Sequence, residues 1–218
     1  MKANVTKLTV LVVIVAIAMF MPVGMTLAGQ LFPQPFRHSI QGVYAATGFQ
    51  MCLLAQCGFL ENFVPRAASY GFGSTQSLSI EGVFKFERDG TGEASITKRS
   101  INFAPTLPPD ILSASAGVVI DTWTFTYTVT GDGSYTMKPD KDSYKSKWTA
   151  GPYDAEFTVN GWLFNGSISP DGKTITLNTG VPVKATLSPA IVGPPCPLAQ
   201  LICNTSAVLI WQHDINEE

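Results

Sequence analysis

Charge is scarce in this chain. Only 14% of its 218 residues are Asp, Glu, Lys or Arg, and the 14 basic residues do not outnumber the 16 acidic ones. Gripping a phosphate backbone takes a basic excess, so nucleic acid is not an expected partner. Histidine occurs only twice, as His38 and His213, at opposite ends of the chain. Two ligands on chain ends do not make a pre-organised metal centre. No CxxC occurs among Cys52, Cys57, Cys196 and Cys203, which removes the usual zinc knuckle. No serine sits in a nucleophile elbow, and no glycine loop that could cradle phosphate leads into a helix. Asp140-Lys141-Asp142 starts like a calcium loop, but Tyr144 stands at the third acidic position. No cofactor and no metal are therefore expected.

One apolar run stands out, from Leu8 to Met21, after Lys2 and Lys7 and before the small-residue site Thr26-Leu27-Ala28. This order is that of a secretory signal peptide over residues 1–28, with cleavage after Ala28. The run is short for a spanning helix, which needs about 20 residues, so no stable membrane insertion is expected after cleavage. The remainder, 29–218, is expected to form a single β-barrel domain, secreted or periplasmic. Without Lys2 and Lys7 the basic count falls from 14 to 12 and the net charge moves from −2 to −4.

The clearest structural signal is Thr122 to Thr130, where Trp123, Phe125, Tyr127 and Val129 alternate with five threonines. A period of two puts the aromatics on one face of a strand and the threonines on the other. Around it the chain carries turn signals. Arg88-Asp89-Gly90 reads as a three-residue loop with Gly90 left-handed, which sets Lys85 opposite Glu93, Phe84 opposite Ala94 and Gly82 opposite Ile96. That register leaves Lys98 on the apolar face, snorkelling towards water at an open end. Gly131-Asp132-Gly133 pairs Val129 with Tyr135 and Tyr127 with Met137. Lys138 to Thr149 reads as a solvated excursion that Trp148 tucks down. Asn160-Gly161 is the strongest short hairpin signal and would pair Val159 with Trp162 and Phe157 with Phe164. The alternative there is one long strand with a bulge at Gly161, because the apolar phase slips by one. Pro170 to Lys173 is a four-residue turn that sets Ile168 opposite Ile175.

About 8–10 strands joined as neighbours give an all-β antiparallel meander, whose edges disappear best by closing into a complete or nearly complete barrel. Closure pairs the first strand with the last and brings Cys52 beside Cys203, with Cys57 to Cys196 as a second clasp. Two local bridges, Cys52 to Cys57 and Cys196 to Cys203, are the alternative.

Gly42-Val43-Tyr44 opens the first strand where lipocalins carry Gly-x-Trp, here with tyrosine in place of tryptophan. In outline the chain resembles the lipocalin-like, or calycin, secreted barrels, and is similar to allene oxide cyclase-like and dirigent-like barrels. The resemblance implies an interior that holds a small hydrophobic molecule. Candidate interior residues are Phe84, Phe86, Lys98, Trp123, Phe125, Tyr127, Trp162 and Phe164. Three other functions compete. A small cyclase or isomerase would use Lys98 and Tyr127, an outer-membrane barrel would invert the strand pattern, and a surface structural protein would simply fill its core with these aromatics.

Overall fold

The structure is a computed structural model that describes residues 40–55, 57–66, 74–104, 113–150, 156–179, 184–188 and 199–215. The expected signal peptide and Cys196 lie outside the described residues. Eleven strands and no α-helix occur among them: β1 (Gly42–Ala55), β2 (Ser74–Phe86), β3 (Thr91–Ala104), β4 (Ser113–Val129), β5 (Ser134–Pro139), β6 (Lys145–Ala150), β7 (Glu156–Asn160), β8 (Phe164–Ser167), β9 (Thr174–Asn178), β10 (Lys184–Ser188) and β11 (Ala199–His213).

Five long strands, in the order β11-β1-β2-β3-β4, form one wall as an antiparallel meander. The other wall is built in two tiers. The edge of β4 pairs with β5 along Phe125–Val129 and with β6 along Val118–Thr122. The edge of β11 pairs with β9 along Ser206–Ile210 and with β10 along Ala199–Ile202. Between these edges β8 joins β5 to β9, and β7 joins β6 to β10. Thus β5 and β6 are two halves of one strand course, as are β7 with β8 and β9 with β10. Counted by course, the sheet is a ring of eight antiparallel strands, the nearly closed barrel that the meander implies.

The turn chemistry sets the registers. Gly90 has φ +88°, and Lys85 faces Glu93, Phe84 faces Ala94 and Ile80 faces Lys98, as the three-residue loop requires. Val129 faces Tyr135, and Ile168 bridges to Ile175. Cys52 lies directly opposite Cys203 across the closing seam, and the two are joined in a disulfide. The two local bridges are thereby excluded. Cys57 is also disulfide-bonded.

The Asn160-Gly161 hairpin does not form. β7 pairs with β6 and β10, and β8 with β5 and β9, so Val159 does not face Trp162 and Phe157 does not face Phe164. The positive φ of Gly161, +97°, serves a break in one strand course instead of a reversal. Nor is 138–149 simply a solvated excursion. It contains most of β6, and both Trp148 and Tyr144 are buried.

One end of the ring is closed by the short turns at Arg88–Gly90, Gly131–Gly133 and Pro170–Lys173. Its interior is packed with aromatic rings, where Phe86 meets Tyr44, Phe125 and Tyr127 edge-on at 5.2–5.4 Å. The Tyr127 hydroxyl lies 2.7 Å from the Ile40 carbonyl and 2.6 Å from that of Glu87, which ties the chain entering the barrel across this end. The outer face carries the exposed threonines of β4 and ion pairs such as Arg99 with Glu81 at 2.9 Å. The outer face also exposes apolar side chains, among them Phe49, Met51, Ile101 and Ile210, while the buried apolar cluster faces inward.

Candidate functional site

Halfway along the barrel the interior changes character. Beyond the aromatic half the inward side chains include Gln50, Gln76, Lys98, Ser100, Asn102 and Asp121, all buried. Lys98 falls inside because the even positions of β3 do, and Asp121 because the odd positions of β4 do, in phase with Trp123 and Phe125. Burial puts both charges where only each other can compensate them. Lys98 Nζ lies 2.6 Å from Asp121 Oδ2, with both side chains at most 7% exposed. The lysine therefore does not snorkel out of an open end.

The third member comes from the break between β5 and β6. Asp142, with φ +63°, turns the chain, and the carbonyl of Tyr144 accepts the Val159 amide at 2.9 Å. Asp142 also exchanges hydrogen bonds with Asn160: its amide donates to Oδ1 at 3.0 Å, and Asn160 Nδ2 donates to its carboxylate at 2.9 Å. So fixed, Tyr144 projects between the tiers. Its hydroxyl donates to Asp121 Oδ2 at 2.6 Å and accepts from Lys98 Nζ at 3.3 Å. Burial, then the charge of Asp121 and the hydrogen bond to it, push the Tyr144 hydroxyl well above the usual tyrosine range. Trp123 stacks on Tyr144 at 4.6 Å, nearly parallel, and Trp162, from the break between β7 and β8, lies 6.4 Å from Tyr144 on another side.

Above this cluster is a cavity of about 60 Å³ whose polar lining comprises Gln50, Gln76, Lys98, Asp121, Tyr144 and Ser146, with Trp162 beside them. Leu54, Leu78, Phe157, Leu187 and the Cys52–Cys203 bridge are among its apolar walls. Two fully buried polar atoms of these residues, Asp121 Oδ1 and Trp162 Nε1, have no hydrogen-bond partner among the described residues. An unpaired buried carboxylate oxygen is costly.

All eight candidate interior residues are buried. Only Lys98 and Trp162 among them line the cavity. Phe84, Phe86, Phe125 and Tyr127 fill the closed half, while Trp123 and Phe164 stack beneath the site. Tyr127, with its hydroxyl held at the closed end, does not join Lys98. Asp121 and Tyr144 are the residues that sequence reasoning missed. Asp121 shares the phase of the aromatic face, a legible signal, whereas nothing around Tyr144 marks it as buried.

Among the described residues no group of three His, Cys, Asp or Glu side chains could hold a metal ion. Comparisons with protein-family models, with curated proteins and with solved structures returned no match.

Proposed function

We propose that this is an exported, lipocalin-like barrel that binds a small amphipathic molecule in its polar half. One observation carries the reading: a buried Lys98–Asp121–Tyr144 cluster, with Gln50 and Gln76, lines a cavity inside the barrel. An ion pair out of water is a poor way to hold a core together, since well-packed apolar side chains of similar size do as well or better. The closed half is filled in that apolar way. The polar half departs from it where there is space beside the charges. A cavity of about 60 Å³ is far below the roughly 300–1,000 Å³ of drug-sized sites. It suits the polar end of a ligand, the rest lying along the apolar walls. Export is supported by the Cys52–Cys203 disulfide, which persists in an oxidising compartment.

Native mass spectrometry on protein exported from cells and purified without detergent tests both parts. The expected species begins at Gly29 and carries an extra mass that is released on denaturation. The Lys98→Met/Asp121→Leu variant, folded but with an apolar site, is expected to lose that mass. A wild-type protein that is always empty, or a variant that keeps the cargo, would overturn the reading.

A further inference from the structure

We infer that the barrel docks on a lipid bilayer through the end of the ring away from the turns at 88–90, 131–133 and 170–173. At that end the five long strands contain no charged residue: 49–55 of β1, 74–79 of β2, 100–104 of β3, 113–120 of β4 and 199–206 of β11. Their outward positions carry instead Phe49, Met51, Ile101 and Phe103, each 45–52% exposed. Met51, Ser77 and Ile101 stand in one cross-strand row, so the apolar groups of β1 and β3 are parted only by small β2 hydroxyls. The first outward charges on this wall, Arg99 and Glu81, close their ion pair at 2.9 Å and end the band. Beside the same end, residues 57–66 form a tight loop against β10 and β11. Phe59 is buried, and its amide donates to Gln200 Oε1 at 2.8 Å. Leu60, Phe63 and Val64 project from the loop, each 41–49% exposed. Phe63 has φ +62°, a left-handed backbone that bulky residues seldom adopt, and strain of this kind gathers at functional sites.

These groups face different ways round the ring, from β10 through β11 and β1 to β3, so no single rigid partner face covers them. A fluid apolar layer does. Phe49 and Met51 lie two residues apart on one strand, about 7 Å, within the roughly 5–10 Å to which apolar groups sink at a bilayer interface. Charge sets the orientation. The turns at the opposite end carry Glu87, Asp89, Asp132 and Asp171 against Arg88 and Lys173, an acidic excess that stays in water. At the loop the balance reverses, since Lys184 and Arg66 outnumber Glu61. The Lys184 ammonium donates to the Leu60 carbonyl and lies 4.9 Å from the centre of the Phe63 ring, at the height where anionic head groups would meet the embedded tip. This surface is independent of the cavity, and an empty barrel would dock in the same way.

The test is flotation of the mature chain with vesicles of equimolar phosphatidylcholine and phosphatidylglycerol. The wild type is expected to float with the vesicles and to leave them on dilution. Met51→Ser/Ile101→Ser should weaken partitioning at least about tenfold, because it removes apolar groups that only the bilayer buries. Phe63→Gly should weaken it about tenfold as well, while urea unfolding stays where it is or moves to higher denaturant, because glycine takes the left-handed backbone without strain. That pair of readouts separates docking from a structural role of the ring. Val83, 46% exposed between Glu81 and Lys85 and outside the band, is the control, and Val83→Ser should change nothing. A wild type that stays in the buffer overturns the proposal, as does a Phe63→Gly chain that floats like the wild type or an equal loss from Val83→Ser. A chain that only detergent frees from the vesicles would be a spanning barrel, and would overturn it too.

Discussion

Replacing Lys98 by methionine keeps most of the side-chain volume and removes the charge. The Asp121 carboxylate then stays in the barrel with only the Tyr144 hydroxyl, at 2.6 Å, for company. Removing one partner of a buried ion pair costs about 3–5 kcal/mol, because the survivor remains desolvated and uncompensated. Against a total stability of about 5–15 kcal/mol, that is a large share. Removing both charges is different: Lys98→Met/Asp121→Leu is expected to lie between roughly neutral and about 4 kcal/mol more stable than wild type. The double variant should thus recover everything the single one loses, a coupling that independent sites never show. Urea unfolding followed by far-UV circular dichroism and tryptophan fluorescence measures this, with unchanged m-values showing that the same surface is exposed. Trp123, stacked on Tyr144, makes the fluorescence sensitive to the site. A loss under about 1 kcal/mol for Lys98→Met would refute the reasoning, as would a double variant no more stable than the single one. Either would mean that water already reaches the pair.

Other consequences can be checked separately. Cys52→Ala/Cys203→Ala opens a cross-link between residues 151 apart and should lower stability by up to about 5 kcal/mol in the chain-entropy model. That figure is a ceiling, because Cys57 is cross-linked as well, and a loss below about 1 kcal/mol in urea unfolding would contradict it. Asp89, Asp132 and Asp171 occupy matching places in three turns, and each has its pKa lowered below 3.8, chiefly by a hydroxyl donor, Thr91, Thr130 or Ser169. A depressed folded-state pKa adds stability that is present above the unfolded value and lost as pH falls through the folded one. The melting temperature should therefore drop below about pH 4, and the triple Asn variant should flatten that drop; equal acid sensitivity in both proteins would be the wrong outcome. At Gly166 an added Cβ would meet the Thr176 carbonyl oxygen at 1.8 Å, a backbone atom that cannot swing aside. Gly166→Ala should cost about 2–3 kcal/mol, and wild-type stability would show that β8 and β9 are less closely held.

Where turn chemistry and alternation agreed, the sequence was readable to the residue. The loop at Gly90 needed a left-handed residue, and cross-strand size matching chose between two registers, so that Ile80 falls opposite Lys98. Closure put Cys52 beside Cys203 because an antiparallel seam leaves one arrangement of those strand ends. Asn160-Gly161 misled because the positive φ that suits a tight hairpin also suits a break, and local sequence does not tell the two apart. The deciding force is tertiary, since β7 and β8 each find two partners in different tiers. The site was half legible. Lys98 stood out as a charge on an apolar face, and Asp121 could have been placed with it by extending the phase of Trp123 two residues back. Tyr144 could not. It follows Asp140-Lys141-Asp142-Ser143, and its burial comes from a loop fixed by contacts to Thr124, Val159 and Asn160.

The breaks also explain why one barrel has two interiors. Inward positions in β5 are odd, Tyr135 and Met137, whereas in β6 the buried Trp148 is even. In β7 they are odd, Phe157 and Val159, and across Gly161 they become even, Trp162 and Phe164. A one-residue slip turns every following side chain to the other face, so each slip needs a residue of unusual backbone, and Asp142 and Gly161 supply it with positive φ. The break after β9 works differently. It keeps its phase from Leu177 to Ala185, and the Thr179 hydroxyl there bonds the Cys203 carbonyl and accepts the Thr205 amide. Freed from strict alternation, Tyr144 and Trp162 turn into the plane between the tiers and stack with Trp123 and Phe164. Those rings make a floor. Below it aromatic packing holds the barrel rigid, and above it the walls can carry charge and space without loosening the closed half. A site built on such a floor is pre-organised by the core beneath it.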